Sequence, residues 1–325
     1  MIEETIPAAL AGERLDRVVA LIADISRSEA SAAIEAGGVT VDGARATAGK
    51  VRLDEGTTVM VDPSTVPVVA PPGPNPDVDF GVVHEDDAVV VIDKPPGLVV
   101  HPGAGGETAT LAHGLLARFP DVADVGDPMR PGIVHRLDAG SSGLLVIARS
   151  DEAADALVDQ FADHSAGRVY DAVVWGVPEA PHGVIDAPLG RSRRDPTRIA
   201  VVADGRPART DYRVIGTFSH TPVGPASVTR LECRLETGRT HQIRVHLSSI
   251  DHPLVGDPVY GQRRPALGLT RPFLHAAELS FDHPSTGDRV TFRSPLAPDL
   301  ASWLADCSVS APAAREPSAT SHRSQ

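Results

Sequence analysis

The chain has 325 residues with 42% hydrophobic content, enough for two cores, and its 29 Gly and 29 Pro imply many turns and loops. Two cysteines, Cys233 and Cys307, with no C-x-x-C pair, exclude a disulfide scaffold or a cysteine-rich zinc site and fit a reducing compartment. A formal charge of −13 argues against a protein that grips polyanions over its whole surface.

The start, MIEETIPAAL, is acidic and lacks the basic and apolar stretches of a signal peptide. No apolar run approaches the roughly 18 residues of a membrane span, so the expectation is a soluble cytoplasmic protein without membrane contact.

Residues 1–62 are expected to form a small separate unit. In 13–23, Leu15, Val18, Val19 and Ile22 recur at helical spacing. Ser26-Arg27-Ser28-Glu29 reads as a capping box for a second helix that stops at Gly37-Gly38. Val39-Thr40-Val41-Asp42-Gly43 reads as strand and hairpin turn, and 51–61 supply further strand around Asp54-Glu55-Gly56. These pieces, and the words Arg14-Leu15-Asp16-Arg17 and Ser26-Arg27-Ser28, resemble the S4 RNA-binding domain, which implies a surface for folded RNA. A small capping or dimerising domain is the competing reading. Residues 63–76 contain VPVVAPPGPNP, whose proline density predicts an extended connector.

Residues 77–305 are expected to be the larger domain. Val89-Val90-Val91-Ile92 reads as a buried strand ended by Lys94-Pro95-Pro96-Gly97, and 111–118 as a helix. Strands follow at 144–148, 168–175 and 228–235, with a helix at 151–164. Thr240 is the expected N-cap of a helix reaching Ile250. Strands at 279–281 and 290–292 flank a turn. Without βαβ alternation, this predicts an α+β domain on a mixed, mainly antiparallel sheet. The tail 306–325 is poor in bulky apolar residues and is expected to be disordered.

The chemistry concentrates in Pro131-Gly132-Ile133-Val134-His135-Arg136-Leu137-Asp138 and the small-residue loop 139–143, which feeds into the apolar run 144–148. A lone carboxylate beside a His-Arg pair, mounted on a strand, suits precise chemistry, although Asp138 could equally cap a turn. Other chemistries fit poorly. His241 and His246 are five apart, which is not a helical zinc spacing, and Gly140-Ser141-Ser142-Gly143 is not a nucleophile elbow. Gly103-Ala104-Gly105-Gly106 lacks the Lys-Ser/Thr of a phosphate loop. An arginine cluster, Arg191, Arg193, Arg194, Arg198, Arg206 and Arg209, could still hold phosphates locally.

His135-Arg136-Leu137-Asp138 with Ser142-Gly143-Leu144-Leu145-Val146, then Arg168-Val169-Tyr170-Asp171-Ala172, then Thr237-Gly238-Arg239-Thr240-His241-Gln242-Ile243-Arg244, resemble the RluA-type pseudouridine synthase family. With HPLVGDPVYG and the S4-like start, the likeness spans residues 1 to about 300 and is greatest to the branch acting on large-subunit ribosomal RNA. It departs at Ser141, where the family usually has Thr, and at Arg168, where it usually has Lys. The resemblance implies isomerisation of uridine to pseudouridine in RNA, with no metal and no cofactor, by a monomer. It implies Asp138 as the reacting carboxylate, Arg244 (Arg239 second) as its ion-pair partner, and Tyr170 as the ring that stacks on uracil and takes the C5 proton. It places Arg136 at the flipped base, His135 as loop support, Arg239 and Lys94 toward RNA, and Leu279 or Phe281 on the pocket wall. The rival reading is a noncatalytic RNA-binding or ribosome-assembly factor that keeps the fold; an intact Asp138, Tyr170 and Arg244 weigh against it.

Overall fold

A computed structural model describes residues 1–25, 27–66, 71–102, 108–195 and 197–309, and the chain divides into two compact units at Pro71/Pro72.

In the first unit, β1 (Ile2–Thr5), α1 (Leu15–Ile22), α2 (Arg27–Ala36), β2 (Val39–Val41), β3 (Ala44–Arg45) and β4 (Thr58–Val61) follow in order. The strands form one antiparallel sheet, β1-β4-β2-β3. The helical spacing puts Leu15, Val18 and Val19 on one side of α1, where they meet Ala33 and Ile34 of α2 and Val39, Val59 and Val61 of the sheet. Ser26, and with it the expected capping box, lies outside the described residues. The connector begins later than expected. Asp62 accepts the Ser64 N–H and caps a 3-10 turn, Pro63–Thr65, and Val66 packs against this core, so folding continues past residue 62. At the connector's far end Asn75 is tied into the second unit by its N–H to the His113 carbonyl and its amide to that of Thr108.

The second unit contains β5 (Gly81–Glu85), β6 (Val89–Lys94), α3 (Leu111–Arg118), β7 (Ser142–Ala148), α4 (Asp151–Ala162), β8 (Gly167–Trp175), β9 (His182–Asp186), β10 (Leu189–Arg191), β11 (Ile199–Val201), β12 (Arg209–Thr221), β13 (Gly224–Leu235), α5 (Gln242–Ser249), β14 (Leu274–Asp282), β15 (Arg289–Arg293) and α6 (Pro298–Ala305). Nine strands form one sheet in the order β5-β6-β7-β14-β8-β13-β12-β9, with β15 added on β14. Every pairing is antiparallel except β7 with β14, so the fold is α+β on a mainly antiparallel sheet. That parallel contact is brief: His275 and Ala276 lie opposite Ser142 and Gly143, and from residue 278 onward β15 takes the place beside β14. The sheet therefore splits at the start of β7, beside the Asp138 loop.

One face carries the larger core, with Ile92, Leu145, Ile147, Ala172, Leu231, Ile243 and Leu247. A second cluster under α4 holds Val146, Leu157, Leu279 and Phe281. This corrects the expectation for Leu279 and Phe281. They are 1% and 0% exposed in the α4 cluster and neither lines the site cavity; Leu274 does. The chain is also ordered further than expected: Ser308 exchanges backbone hydrogen bonds with the end of β12, and 310–325 lie outside the described residues. Among the described residues no helix is long and apolar enough to cross a membrane.

Candidate active site

Asp138 stands on the loop before β7, and the backbone around it is held from three directions. Gly97 N–H donates to the Ala139 carbonyl at 2.8 Å, Arg271 donates to that of Gly140 at 3.2 Å, and Ser141 N–H closes the turn on Asp138 at 3.0 Å. Arg271 is itself fixed by two bonds to Asp299. At Gly143 (φ 110°) a Cβ would stand 2.3 Å from the Ala276 carbonyl oxygen, so only glycine permits this approach of β7 to β14.

Lys94 belongs to this scaffold and not to an RNA surface, which corrects its expected role. Its side chain is 0% exposed and donates to the carbonyls of Pro95, Leu98 and Ala139 at 2.9, 2.9 and 3.2 Å. An ammonium group with its three protons used on backbone carbonyls has none left for phosphate. Burial, with Arg271 nearby, pushes it down to about 7 against the opposing pull of Asp138 and Asp93. His135 also supports the loop. Its Nε2 accepts the Val146 N–H at 3.0 Å, and its ring lies 4.5 Å from that of Phe161. Burial, then Arg168, pushes the imidazole down to about 3, so it is a neutral acceptor and not a proton carrier.

The carboxylate of Asp138 meets Arg244 of α5. Arg244 Nη1 donates to Asp138 Oδ2 at 3.0 Å, while Nε and Nη2 form a fork on Asp257 at 2.7 and 3.0 Å. Asp257 further accepts the N–H groups of Val259 and Tyr260, and the Tyr260 ring lies 5.0 Å from the guanidinium. Burial would raise the Asp257 carboxyl, but Arg244 and these N–H groups outweigh it and hold it below the usual range. Burial likewise opposes the charge on Arg244, and the two carboxylates more than compensate, raising its pKa. Side-chain exposure is 17% for Asp138, 7% for Arg244 and 0% for Asp257, so Asp138 is the acid open to the cavity. Arg239 does not join the pair; its Nε bonds to the Pro207 carbonyl at 3.0 Å.

The start of α5 differs from expectation. Thr240 is exposed and does not cap it; His241 is the N-cap, in a left-handed conformation and without a side-chain cap bond. Gln242 closes the preceding turn by accepting from Arg239 N–H at 3.0 Å and Thr237 hydroxyl at 2.8 Å. Six consecutive residues, Gln242 to Leu247, are buried, so this helix is enclosed rather than one-sided.

The cavity above Asp138 measures about 490 Å³. Tyr170 of β8, 6% exposed, forms part of its wall, and burial raises its phenol. Arg130, Arg136, Arg168, Arg206, Arg239 and Arg244 line it, with Asp138 as the one acid among the described lining residues. Arg136 is exposed at the edge. Among the described residues no group of three His, Cys, Asp or Glu side chains could hold a metal ion. A single acid bonded to an arginine in an arginine-lined pocket, next to a buried ring, suits a polyanion that presents a planar group. Sequence reasoning did not single out Asp257 and Tyr260, although both lie in the quoted word HPLVGDPVYG.

The family model described as RNA pseudouridylate synthase matches residues 88–249, and the S4 domain model matches 13–59. Ribosomal large subunit pseudouridine synthase D of Nitrosomonas europaea is 43% identical over 318 residues, 93% of this chain and 87% of its own length. The chain belongs to the RNA pseudouridylate synthase family. As an RNA pseudouridine synthase it isomerises uridine in RNA, and its first unit is an S4 domain. An uncharacterized RNA pseudouridine synthase of Chloroflexus aurantiacus is 47% identical over 300 residues, 91% of this chain and 90% of its own. The solved structure of human RNA Pseudouridylate Synthase Domain Containing 1 aligns with a TM-score of 0.56 at 26% identity, covering 71% of this chain and 88% of that one.

Proposed function

We propose that this synthase modifies large-subunit ribosomal RNA, with Asp138 reacting at the sugar of a uridine flipped out of its stack. The first part rests on the Nitrosomonas europaea relative, whose name specifies the large ribosomal subunit, and on the S4 domain. The second rests on one observation: Asp138 is the acid open to the arginine-lined cavity, bonded to Arg244 and flanked by Tyr170.

The reaction breaks C1′–N1, turns the uracil and forms C1′–C5; N1 ends with a proton and C5 loses one. An ionised carboxylate is needed whether it attacks C1′ or removes a sugar proton, and Arg244 sets a positive charge 3.0 Å from it. A 490 Å³ cavity admits a base only outside the helix stack, and extruding it costs a few kcal/mol. Arg136, exposed at the edge, is placed to hold the vacated position or the adjacent phosphate. Tyr170 stacks on the uracil. A buried, protonated phenol is a poor proton acceptor, so its environment supports stacking over removal of the C5 proton.

Pseudouridine mapping of ribosomal RNA in cells with and without the gene tests the assignment. Large-subunit sites should vanish on deletion, and an Asp138→Ala copy should not restore them. Unchanged sites alongside a ribosome-assembly defect would favour the noncatalytic reading.

A further inference from the structure

His241 stands beside Asp138, nearest the carboxylate oxygen that Arg244 does not hold. Its Nε2 lies 4.0 Å from Asp138 Oδ1, whereas Arg244 bonds to Oδ2. The residue holds φ 57° and ψ 21°, a conformation disfavoured for a side chain and one that surroundings maintain at working sites. The surroundings here are specific. His241 Nδ1 meets Tyr260 Oη at 2.9 Å, and that oxygen already accepts the Ile199 N–H at 3.1 Å. Tyr260 Oη can donate to Nδ1, an arrangement that places the imidazole proton on Nε2, on the carboxylate side. Asp138 favours the same tautomer, since a lone pair aimed at an anion would be repelled. Burial lowers the imidazole; Asp138 and Asp257 oppose that and Arg244 and Arg136 add to it, so the ring is neutral with one donor.

A 4.0 Å separation is too long for a hydrogen bond, and the side chain is 28% exposed on the cavity wall. Nε2 therefore opens on the cavity beside the carboxylate without being bonded to it. When C1′ of a uridine approaches Asp138, its ribose 2′-hydroxyl, on the adjacent carbon, comes into that space. We infer that His241 donates a hydrogen bond to the 2′-hydroxyl of the target uridine, and that Tyr260 is the positioning residue that fixes its tautomer. This rests on Asp138 being the group that reacts. Hydrogen bonds at this hydroxyl strengthen as the sugar carbon gains positive character, so the contact both speeds the chemical step and selects ribose over deoxyribose.

The test is a cycle of single-turnover rates on a large-subunit RNA stem-loop carrying uridine or 2′-deoxyuridine at the mapped position. Full-length wild type should lose about 10- to 100-fold on the deoxy substrate. His241→Ala should slow on the ribose substrate by a similar factor and then lose less than about threefold more on the deoxy one, because the same bond cannot be lost twice. His241→Gln, which keeps a donor, should recover part of the discrimination. Tyr260→Phe keeps the ring under Arg244 but not the hydroxyl, and should narrow the ratio in the same way; a merely structural role would slow both substrates equally. An undiminished deoxy penalty in His241→Ala would overturn the inference. If deoxy turnover is too slow to time, the same cycle read as RNA affinity in an Asp138→Asn background gives the ratio. Normal ribose turnover by Asp138→Ala is a separate outcome, and it would remove the reading of the carboxylate instead.

Discussion

Asp257 touches nothing that reacts, yet the orientation of Arg244 depends on it. The fork on Asp257 uses Nε and Nη2 and leaves Nη1 as the one donor for Asp138. In Asp257→Asn a buried guanidinium keeps its desolvation cost and loses its main counter-charge, a change that costs about 3–5 kcal/mol in buried pairs. Lower stability, and single-turnover rates down at least about tenfold, are expected; unchanged values for both would refute the support role. His135 gives a pH-dependent counterpart. Its pKa is about 3 in the fold against 6.5 ordinarily, so the unfolded chain takes up a proton that the folded one refuses. Its stability contribution is complete above pH 6.5 and lost as pH falls toward 3. Urea midpoints between pH 4 and 7 should fall more steeply for wild type than for His135→Gln, which keeps an acceptor and cannot titrate; parallel slopes would contradict this. Asp138 and Arg244 were legible because motif words carry them. Asp257 was not, since nothing local shows that an acid 13 positions on in sequence will fork onto Arg244. Lys94 misled because a lysine before Pro-Pro-Gly reads as solvated, and the three carbonyls that bury it are a tertiary arrangement.

The strands that carry the site were readable where apolar residues run unbroken, as in β6 and β7, both buried along nearly their whole length. β12, with 13 residues, was missed because charged and glycine positions interrupt it and much of it is half-exposed. Leu279 could not be assigned a face by counting from Leu274, because the register of β14 shifts between Ala276 and Glu278. The Thr240 cap failed because the αL turn at His241 and the side chain of Gln242 replace it. The brief β7–β14 contact sets how close the Asp138 loop comes to the rest of the sheet. Gly143→Ala adds a Cβ into the Ala276 carbonyl at a φ of 110°. Backbone strain alone costs about 1–3 kcal/mol. A lower urea midpoint with reduced turnover is expected; wild-type stability would show that β7 can shift without consequence.

Across the molecule, the −13 charge argued against a protein that grips polyanions over its whole surface, and the arginines that matter are gathered in one place. Six arginines gather around one cavity, so the local field opposes the global one. The order of domains was legible in the sequence, from helical spacing in the first and strand runs in the second. The boundary was displaced because Pro63–Thr65 folds against the first core. The residues of the site all lie in the second unit. Deleting residues 1–71 should therefore weaken RNA affinity by more than tenfold while leaving single-turnover rates at saturating stem-loop within about threefold of wild type. Lost turnover at saturation would refute that division of labour.

Forming C1′–C5 displaces the hydrogen on C5, so tritium placed there reports the isomerisation itself. With purified protein and unmodified large-subunit ribosomal RNA, wild type should release tritium to water, and Asp138→Ala should bind the RNA yet release none above background. Release by Asp138→Ala at the wild-type rate would contradict the account at its centre.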